Sequence, residues 1–402
     1  MGHTLGKDGI PSMPPEQLVQ MSLSEIDDLR RNTPLVRTHD MRVTALRCDD
    51  VEKLSSDPRL LQLPGAPYAD ACGIPQGRCR SFLEGSMLLS NGPDHKRRRG
   101  AFAKTFAHPV LRSKRGQVRV VADRIVADLP RGTDFDFLAL CASRLPAEVI
   151  AQVLGLPVEQ STWFATQVYS LSRSLMVPYD VAHHAEIEAA AEALYGFVSE
   201  ALDARRKVPR EDFLSMLVND ESARALASEE LIYQVMTVIL AGSDTTRSGF
   251  NLTVGRLLHD RALWEAVCAD SDLIPPAIDE ALRIEPPVGS LPRYTAAPVT
   301  FGNMTVAPGQ VLGLSSLSAM RDETRIRHPL AFDLYRKDHV RPHLVFGGGA
   351  HRCLGEMLAR IELEEGLAAL IAGAPGIALI EAPQMLGFSG IRQSTPLIAH
   401  IS

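Results

Sequence analysis

Apolar residues recur at intervals of three and four along most of the chain, which is the period of a helix with one buried face. Residues 185–206 show this period clearly, through Ile187, Leu194, Val198 and Leu202. Strand-like runs are few and short, and they cluster in residues 35–46 and 299–314, where glycine, asparagine and proline mark tight turns. The pattern therefore predicts a mainly α protein with a small β region.

No internal repeat and no linker rich in glycine, serine or proline divides the chain. We therefore expect a single catalytic domain over residues 1–402. Residues 63–85 are the least periodic internal segment and carry several prolines and glycines. We expect a loop there, and loops of that length often have a function.

Composition narrows the class of protein. The apolar share of 45%, the charged share of 22% and the net charge of −6 are typical of a globular protein and do not favour a nucleic-acid partner. The first residues lack an apolar segment after a basic start, and the apolar stretch 235–242 is too short to span a bilayer. We expect a cytoplasmic protein with no membrane partner, whose six scattered cysteines are free thiols.

One cysteine stands in an unusual context, the sequence FGGGAHRCLGEMLARIELEEGL, in which a glycine-rich loop precedes a predicted helix. Cys353 is expected at the entrance of that helix, with Leu358 and Ile361 on one helix face and the charged residues on another. Unpaired backbone N–H groups at a helix start favour an ionised sulfur. The alternative is a buried, inert thiol, which describes most single cysteines.

The residues of this loop resemble the haem-binding signature of the cytochrome P-450 family without a mismatch: Phe346, Gly347, Gly349, His351, Cys353 and Gly355. The resemblance implies a single-domain cytochrome P-450 fold that binds haem b, with Cys353 as the axial iron ligand. A thiolate ligand donates electron density to the iron. The family pattern also implies that His351 contacts a haem propionate and that Phe346 and Gly347 lie close to the sulfur.

A second match lies in MTVILAGSDTTRSGF, where polar residues interrupt an apolar helix. This segment resembles the family's distal helix, in which Ala241 and Gly242 leave room for oxygen. Asp244 and Thr245 then correspond to the acid and alcohol that relay protons to bound dioxygen. Alternatively, Thr245 only bonds back to a carbonyl of its own helix, as threonines often do.

A third match is EALRIEPPVGSLPR, in which Glu280 and Arg283 are three residues apart and share a helix face. An i,i+3 charge pair is by itself usually a surface feature. The resemblance implies a buried structural pair that is joined by a later arginine, for which Arg336 is the candidate. It also implies that Arg293 bonds a haem propionate.

The segment NGPDHKRRRGAFAKTF places His95 and Arg99 four residues apart on a predicted helix, where both can bind one anionic group. Similarity to the family's His-x-x-x-Arg pattern implies a haem propionate as that anion. The alternative is a solvated basic helix face.

The family resemblance implies a monooxygenase that uses O2 and inserts one oxygen atom into a small or medium hydrophobic substrate. Electrons from NAD(P)H are expected through partner proteins, a two-iron ferredoxin and a ferredoxin reductase. A basic docking face for this acidic carrier is predicted from Lys96, Arg97, Arg98, Arg352 and Arg360.

Substrate contacts are expected from residues 63–85, from residues 168–179 and from the residues Phe82, Leu240, Val288, Leu291 and Phe388, which are apolar. Three alternatives stay open at this point. One is a peroxygenase or non-oxygenating enzyme of the same fold, and another is a haem sensor without turnover. The third is a hydrolase in which Cys353 is the nucleophile and His351 or His343 the base.

Overall fold

The computed structural model describes residues 4–5, 9–38, 42–176, 179, 181–340 and 343–402. Helices make up 58% and strands 12% of the structure, which confirms the predicted mainly α class with a small β region. The chain divides into two compact units. We call Met1–Leu63, Pro275–Cys353 and Met385–Gln393 the sheet unit, and Pro64–Ile274, Leu354–Gln384 and Ser394–Ser402 the helical unit.

Eight short strands of the described residues form the main sheet of the sheet unit. They are β1 (Thr4–Leu5), β2 (Pro11–Met13), β3 (Leu35–Thr38), β4 (Val43–Ala45), β5 (Leu60–Leu61), β7 (Val288–Thr295), β10 (Val311–Leu314) and β13 (Gly390–Ile391). The order is β1-β2-β3-β4-β10-β7-β13, and β5 also pairs with β7. A separate hairpin joins β8 (Val299–Phe301) to β9 (Met304–Val306), and β12 (Met385–Leu386) lies near the end of the unit.

The remaining elements of this unit are the helices α1 (Pro15–Gln20), α2 (Leu23–Asn32), α3 (Cys48–Leu54), α16 (Ile274–Ile284) and α17 (Ser316–Ala319). One core cluster holds α2, β3 and α17 together, through Met13, Leu18, Ile26, Leu29, Val36, Leu46, Leu317 and Phe388. Both segments predicted as strand-like contain strands, although residues 39–41 of the first lie outside the described residues. Gly302, with a φ of 58°, makes the turn of the β8–β9 hairpin.

The helical unit contains thirteen α-helices among its described residues. They are α4 (Gly65–Cys72), α5 (Arg78–Gly85), α6 (Gly92–Gly100), α7 (His108–Ser113), α8 (Arg115–Ala127), α9 (Arg144–Leu154), α10 (Ser161–Ser172), α11 (His184–Lys207), α12 (Phe213–Asn219), α13 (Glu221–Arg224), α14 (Ser228–His259), α15 (Arg261–Ala269) and α18 (Glu356–Gly373). Three strands, β11 (Ala378–Glu381), β15 (Ile398–His400) and β6 (Asp134–Asp136), form a small sheet, and β14 (Gln393–Ser394) precedes β15.

The longest helix is α14, and its ends follow from local chemistry. The Glu230 carboxylate accepts the backbone N–H of Ala227 at 3.2 Å, which satisfies a donor at the helix start. Asp260 follows the helix and accepts the N–H of Ala262 at 3.1 Å, so it caps α15 and ends α14. Among the residues described, no helix combines the length and apolar character that crossing a membrane requires.

Two helices replace the loop that was predicted for residues 63–85. Gly73 ends α4 in the left-handed conformation, at a φ of 67°, and its N–H donates to carbonyls of the last turn. The N–H groups of Arg78 and Cys79 at the start of α5 bind the carboxylate of Glu188 in α11. The cap of α5 therefore comes from a residue 109 positions away from Cys79, and the local sequence does not show it. A single catalytic domain over residues 1–402 stays a prediction.

Candidate active site

The segment before Cys353 is a tight glycine loop of the sheet unit. The Cys353 N–H donates to the Phe346 carbonyl at 2.8 Å, which closes the loop. Gly347 and Gly349 have φ values of 69° and 61°, where a side chain would be strained. A Cβ on Gly348 would stand 2.3 Å from the Ser55 hydroxyl oxygen. The glycines are therefore required by the path of the backbone.

Cys353 is exposed, whereas the other five cysteines, which all lie in the described part of the chain, are buried or half-buried. An exposed sulfur is accessible to a ligand, which does not favour the alternative of a buried, inert thiol. The helix α18 begins at Glu356, three residues after Cys353. Cys353 therefore precedes the first helical turn and is not at its entrance as predicted, because Leu354 and Gly355 form a turn.

Phe346 and His351 flank the cysteine in two short 3₁₀ helices, Leu344–Phe346 and Gly349–His351. The Phe346 ring is half-buried and lies edge to face with the His343 ring, with 6.0 Å between the centroids. His351 is half-buried. A Cβ on Gly347 would lie 3.3 Å from Leu291 Cδ1, so β7 packs against this loop.

Arg293 of β7 is a buried cation in the sheet unit. Its side chain donates to Gln62 Oε1 at 3.0 Å and to the Pro292 carbonyl at 2.9 Å, and no carboxylate of the described residues pairs with it. Burial lowers the pKa of Arg293 to about 10. A buried arginine that lacks an anionic partner fits the binding of an anion, as the resemblance implies.

Glu280, Arg283 and Arg336 lie together in the sheet unit, as their spacing and resemblance led us to expect. Arg336 Nε donates to Glu280 Oε1 at 2.8 Å. Arg283 also donates hydrogen bonds to the backbone carbonyls of Met320, Pro329 and Ala331. Burial alone would raise the pKa of Glu280, but the hydrogen bonds and charges of both arginines outweigh it and lower that pKa. These contacts tie α16 to the segment 320–336.

In the helical unit, the middle of α14 interrupts a run of buried residues. Every residue from 231 to 240 is buried, whereas Ala241 is exposed and Gly242 and Thr245 are half-buried. Asp244 is fully buried, and its Oδ1 accepts from Arg247 Nη2 at 2.5 Å. The Thr245 hydroxyl donates to the Ala241 carbonyl at 3.2 Å, so the bond back to its own helix is present. That bond leaves the hydroxyl oxygen able to accept.

His95 and Arg99 of α6 lie close enough to interact. His95 is buried, and burial followed by the charge of Arg99 lowers its pKa. Arg99 is half-buried. Two neighbouring basic groups on one helix suit the binding of an anion.

The residues predicted to contact substrate differ in exposure. Phe82 and Leu240 are fully buried, whereas Val288 and Leu291 are half-buried. Phe388 packs in the core cluster of the sheet unit, so its side chain has a packing role there. Residues 177 and 178 of the predicted segment 168–179 lie outside the described residues. All of these substrate contacts stay predictions.

The predicted docking face needs a correction. Arg97 and Arg98 bind Glu230 of α14, at 2.8 Å and 3.0 Å, so a carboxylate offsets their charges. The hydrogen bond from Arg97 is the main cause that lowers the pKa of Glu230 to about 2. Lys96 is exposed. The two arginines therefore join α6 to α14, and Lys96 is the basic residue of this helix that is exposed.

The helical unit also contains Arg247 and Glu362, which the sequence patterns did not single out, and Tyr169, which lies in the predicted substrate segment 168–179. Arg247 stacks on the ring of Tyr169 in α10, with 3.7 Å from Cζ to the ring centroid. Glu362 of α18 is buried, and both of its carboxylate oxygens lack a hydrogen-bond partner within the described residues. Burial raises the pKa of Glu362 well above its ordinary value. Its position four residues from Leu358 and from Gly366, on the buried helix face, was a signal in the sequence.

The arrangement in each unit fits a haem. The sheet unit presents the exposed Cys353 and the buried Arg293, which pairs with no carboxylate of the described residues. The helical unit presents the basic pair His95 and Arg99 and the accessible small residues of α14. A cysteine sulfur can ligate a haem iron, and basic side chains can bind haem propionates.

Comparison with known proteins agrees with this chemistry. Residues 75–372 match the family model for cytochrome P450. The plant-inducible cytochrome P450-pinF1 of Rhizobium radiobacter is 37% identical over 93% of this chain and 88% of that protein. Nocardicin C N-oxygenase of Nocardia uniformis subsp. tsuyamanensis is 32% identical over 85% of this chain and 84% of that enzyme.

Solved structures show the same fold. The crystal structure of CalO2 matches with a TM-score of 0.88 over 97% of this chain and 99% of that chain, at 23% identity. Relatives named as oxygenases do not support the cysteine-hydrolase alternative. Sequence and fold together place the chain in the cytochrome P450 family of haem-dependent monooxygenases, which use O2.

Proposed function

We propose that this P450 inserts one oxygen atom into a small or medium hydrophobic substrate, with Asp244 and Thr245 as its proton-delivery residues. The overall reaction is RH + O2 + 2 e⁻ + 2 H⁺ → ROH + H2O, in which the substrate is oxidised and the second oxygen atom leaves as water. The observation that carries the proposal is the buried Asp244 beside the half-buried Thr245 in the middle of an otherwise apolar helix.

When bound, haem b supplies the iron at which dioxygen is reduced. Cys353 would hold the iron through its sulfur, and His95, Arg99, Arg293 and His351 would bind the propionates. The Arg293 guanidinium suits this task, since no carboxylate of the described residues pairs with it. The structural group Glu280, Arg283 and Arg336 would keep α16 in place.

The chain's own residues then handle the protons. The Asp244 carboxylate can take up a proton and pass it towards Thr245, which neighbours it in the sequence on α14. The Thr245 hydroxyl can both accept and donate, and Ala241 and Gly242 keep bulk away from the same part of the helix. Phe346 and Gly347 would shape the surroundings of the sulfur.

Electron supply is the second part of the proposal. Electrons from NAD(P)H would arrive through a two-iron ferredoxin and its reductase. Lys96 supports docking of an acidic carrier. A cytoplasmic location belongs to this proposal as well. Substrates can be found by screening for the low-spin to high-spin shift that displacement of iron-bound water causes.

The experiment is Thr245→Ala, compared with Thr253→Ala on the same helix. Thr253 also donates back to a carbonyl four residues earlier, at 2.7 Å from Gly249, and is fully buried. We expect Thr245→Ala to bind haem and substrate but to divert electrons into hydrogen peroxide (O2 + 2 e⁻ + 2 H⁺ → H2O2), and Asp244→Asn to slow turnover. Thr253→Ala should keep the wild-type ratio of product to electrons. Equal coupling in Thr245→Ala and wild type would contradict the proposal.

A further inference from the structure

The Asp244 carboxylate is held at one oxygen only. Oδ1 forms the ion pair with Arg247, three residues later on α14, while Oδ2 is buried and has no hydrogen-bond partner among the described residues. A buried carboxylate with one unsatisfied oxygen is costly and can rotate unless its single contact is rigid. The orientation of Asp244 therefore depends on how firmly Arg247 is fixed.

Tyr169 fixes Arg247 from a different helix. The guanidinium lies 3.7 Å above the centroid of the Tyr169 ring, a distance at which a cation and the face of a ring attract each other. The Arg247 side chain is 12% exposed, so water screens this attraction little. The Tyr169 hydroxyl donates to the Ser143 carbonyl at 3.0 Å, which anchors the ring itself.

Glu362 is a further buried carboxyl group within electrostatic range of the Tyr169 ring. Burial raises the pKa of Glu362 well above its ordinary range, which favours the uncharged form. Glu362 therefore adds no negative charge beside the Tyr169 ring.

We propose that Tyr169 and Arg247 are positioning residues, which hold Asp244 with Oδ1 on the guanidinium and keep Oδ2 available for proton transfer. The ring face of Tyr169 restricts the Arg247 side chain, and Arg247 in turn restricts the carboxylate. This inference rests on the proposed role of Asp244 in proton delivery. It adds two residues to that role, one of them on α10.

The test compares Tyr169→Leu, which removes the ring face, with Tyr169→Phe, which keeps the face and loses only the bond to Ser143. Tyr195→Leu is the matched control, because the Arg78 guanidinium lies 3.8 Å above the Tyr195 ring in an equivalent contact. For each variant we would measure product formed per electron pair and the solvent deuterium isotope effect on turnover. Crystal structures would record the conformers of Arg247 and Asp244.

We expect Tyr169→Leu to lower the product yield per electron pair by roughly three- to tenfold, a factor that corresponds to a partly buried cation–π contact. It should also change the isotope effect and show Arg247 in more than one conformer. Tyr169→Phe should restore most of the yield, and Tyr195→Leu should leave the isotope effect unchanged. In the Asp244→Asn background, Tyr169→Leu should cause no further loss, because the two residues act in series.

Additive losses in the double variant would overturn the inference, and so would wild-type positions of Arg247 and Asp244 in the Tyr169→Leu crystal structure. Equal damage by Phe and Leu would also contradict it, since the ring face would then be irrelevant. Failure of the proposed function looks different, because Asp244→Asn alone would then leave both turnover and product yield at their wild-type values. The crystal structure of Tyr169→Leu decides on the positioning role even in that case.

Discussion

The Arg283 guanidinium donates two hydrogen bonds to the Glu280 carboxylate, from Nε to Oε2 at 2.7 Å and from Nη2 to Oε1 at 2.8 Å. Both side chains are almost completely removed from water. Two parallel bonds of this kind combine charge with fixed geometry. Because neither charge can return to solvent without unfolding, each depends on the other.

We expect Arg283→Ala to lower the free energy of unfolding by about 3–5 kcal/mol, since it leaves a buried carboxylate with only part of its partners. Chemical denaturation with a spectroscopic probe measures this loss. Arg206→Ala is the control, because Arg206 and Asp203 have the same i,i+3 spacing but are exposed. The control should change stability by less than about 1 kcal/mol. Similar losses in both variants would contradict a buried structural role.

The same pair predicts a dependence on pH. Arg283 and Arg336 lower the folded-state pKa of Glu280 despite its burial, so the ionised form contributes stability that is present above the ordinary pKa of 4.5. That contribution is lost as the pH falls through the lowered pKa. We expect Glu280→Gln to have a lower free energy of unfolding than wild type at neutral pH, and we expect this difference to become smaller in acid. A difference in the free energy of unfolding that increases in acid would contradict a stabilising charge on Glu280.

Arg293→Met should act with opposite signs on the haem-free and haem-loaded protein. Folding lowers the pKa of Arg293 to about 10, so its charge opposes folding at neutral pH as long as no anion is bound. The variant should therefore unfold at higher denaturant concentration than wild type without haem. With haem it should lose the cofactor faster to a haem-free acceptor protein. Destabilisation of both forms to the same degree would mean that Arg293 is only a packing residue.

Glu362→Gln should stabilise the protein increasingly as the pH rises above 4.5. A carboxyl group whose folded-state pKa is raised must take up a proton on folding, which costs about 1.4 kcal/mol for each pH unit between 4.5 and that pKa. The amide needs no proton. Glu364→Gln on the same helix should show no such gain, because Glu364 is paired with Arg115. We would measure unfolding curves of wild type and Glu362→Gln at pH 4.5 and pH 7. An equal difference in the free energy of unfolding at both pH values would contradict a buried neutral Glu362.

Local motifs were predictable because their residues are neighbours in the sequence. Glu280 and Arg283 share a helix turn, and the glycines around Cys353 form one continuous loop. Contacts between distant segments were not predictable. Arg97 and Arg98 look like a basic surface in the sequence, yet Glu230, which lies 132 residues beyond Arg98, binds both.

The contact of Arg247 with Tyr169 and the cap that Glu188 gives α5 also depend on how helices pack. Glu362 is the intermediate case. Its position on the apolar face of the helix predicts that it is buried. Whether it has a hydrogen-bond partner depends on the helices that pack against α18. The periodicity that predicts a helix is the same for a paired and an unpaired buried carboxyl group.

Reduction by an acidic two-iron ferredoxin should slow as salt rises, and Lys96→Glu should slow it at low salt without changing substrate affinity. Lys96 is exposed on α6, so reversing the charge of its side chain leaves the ion pairs of Glu230 intact. Stopped-flow reduction measures the rate. Lys207→Glu, at the exposed end of α11, should have a smaller effect. Rates that depend neither on salt nor on Lys96 would exclude this docking helix.

The central claim is that the Cys353 sulfur ligates the haem iron, and the absorption spectrum of the reduced protein with carbon monoxide tests it most directly. We predict the red-shifted band of thiolate-ligated haem in the wild type and in Cys268→Ser, whose cysteine is half-buried elsewhere in the fold. Cys353→Ser should lose that band, because a neutral hydroxyl does not donate charge as a thiolate does. A red-shifted band that survives in Cys353→Ser, or that is missing from the wild type, would contradict the account.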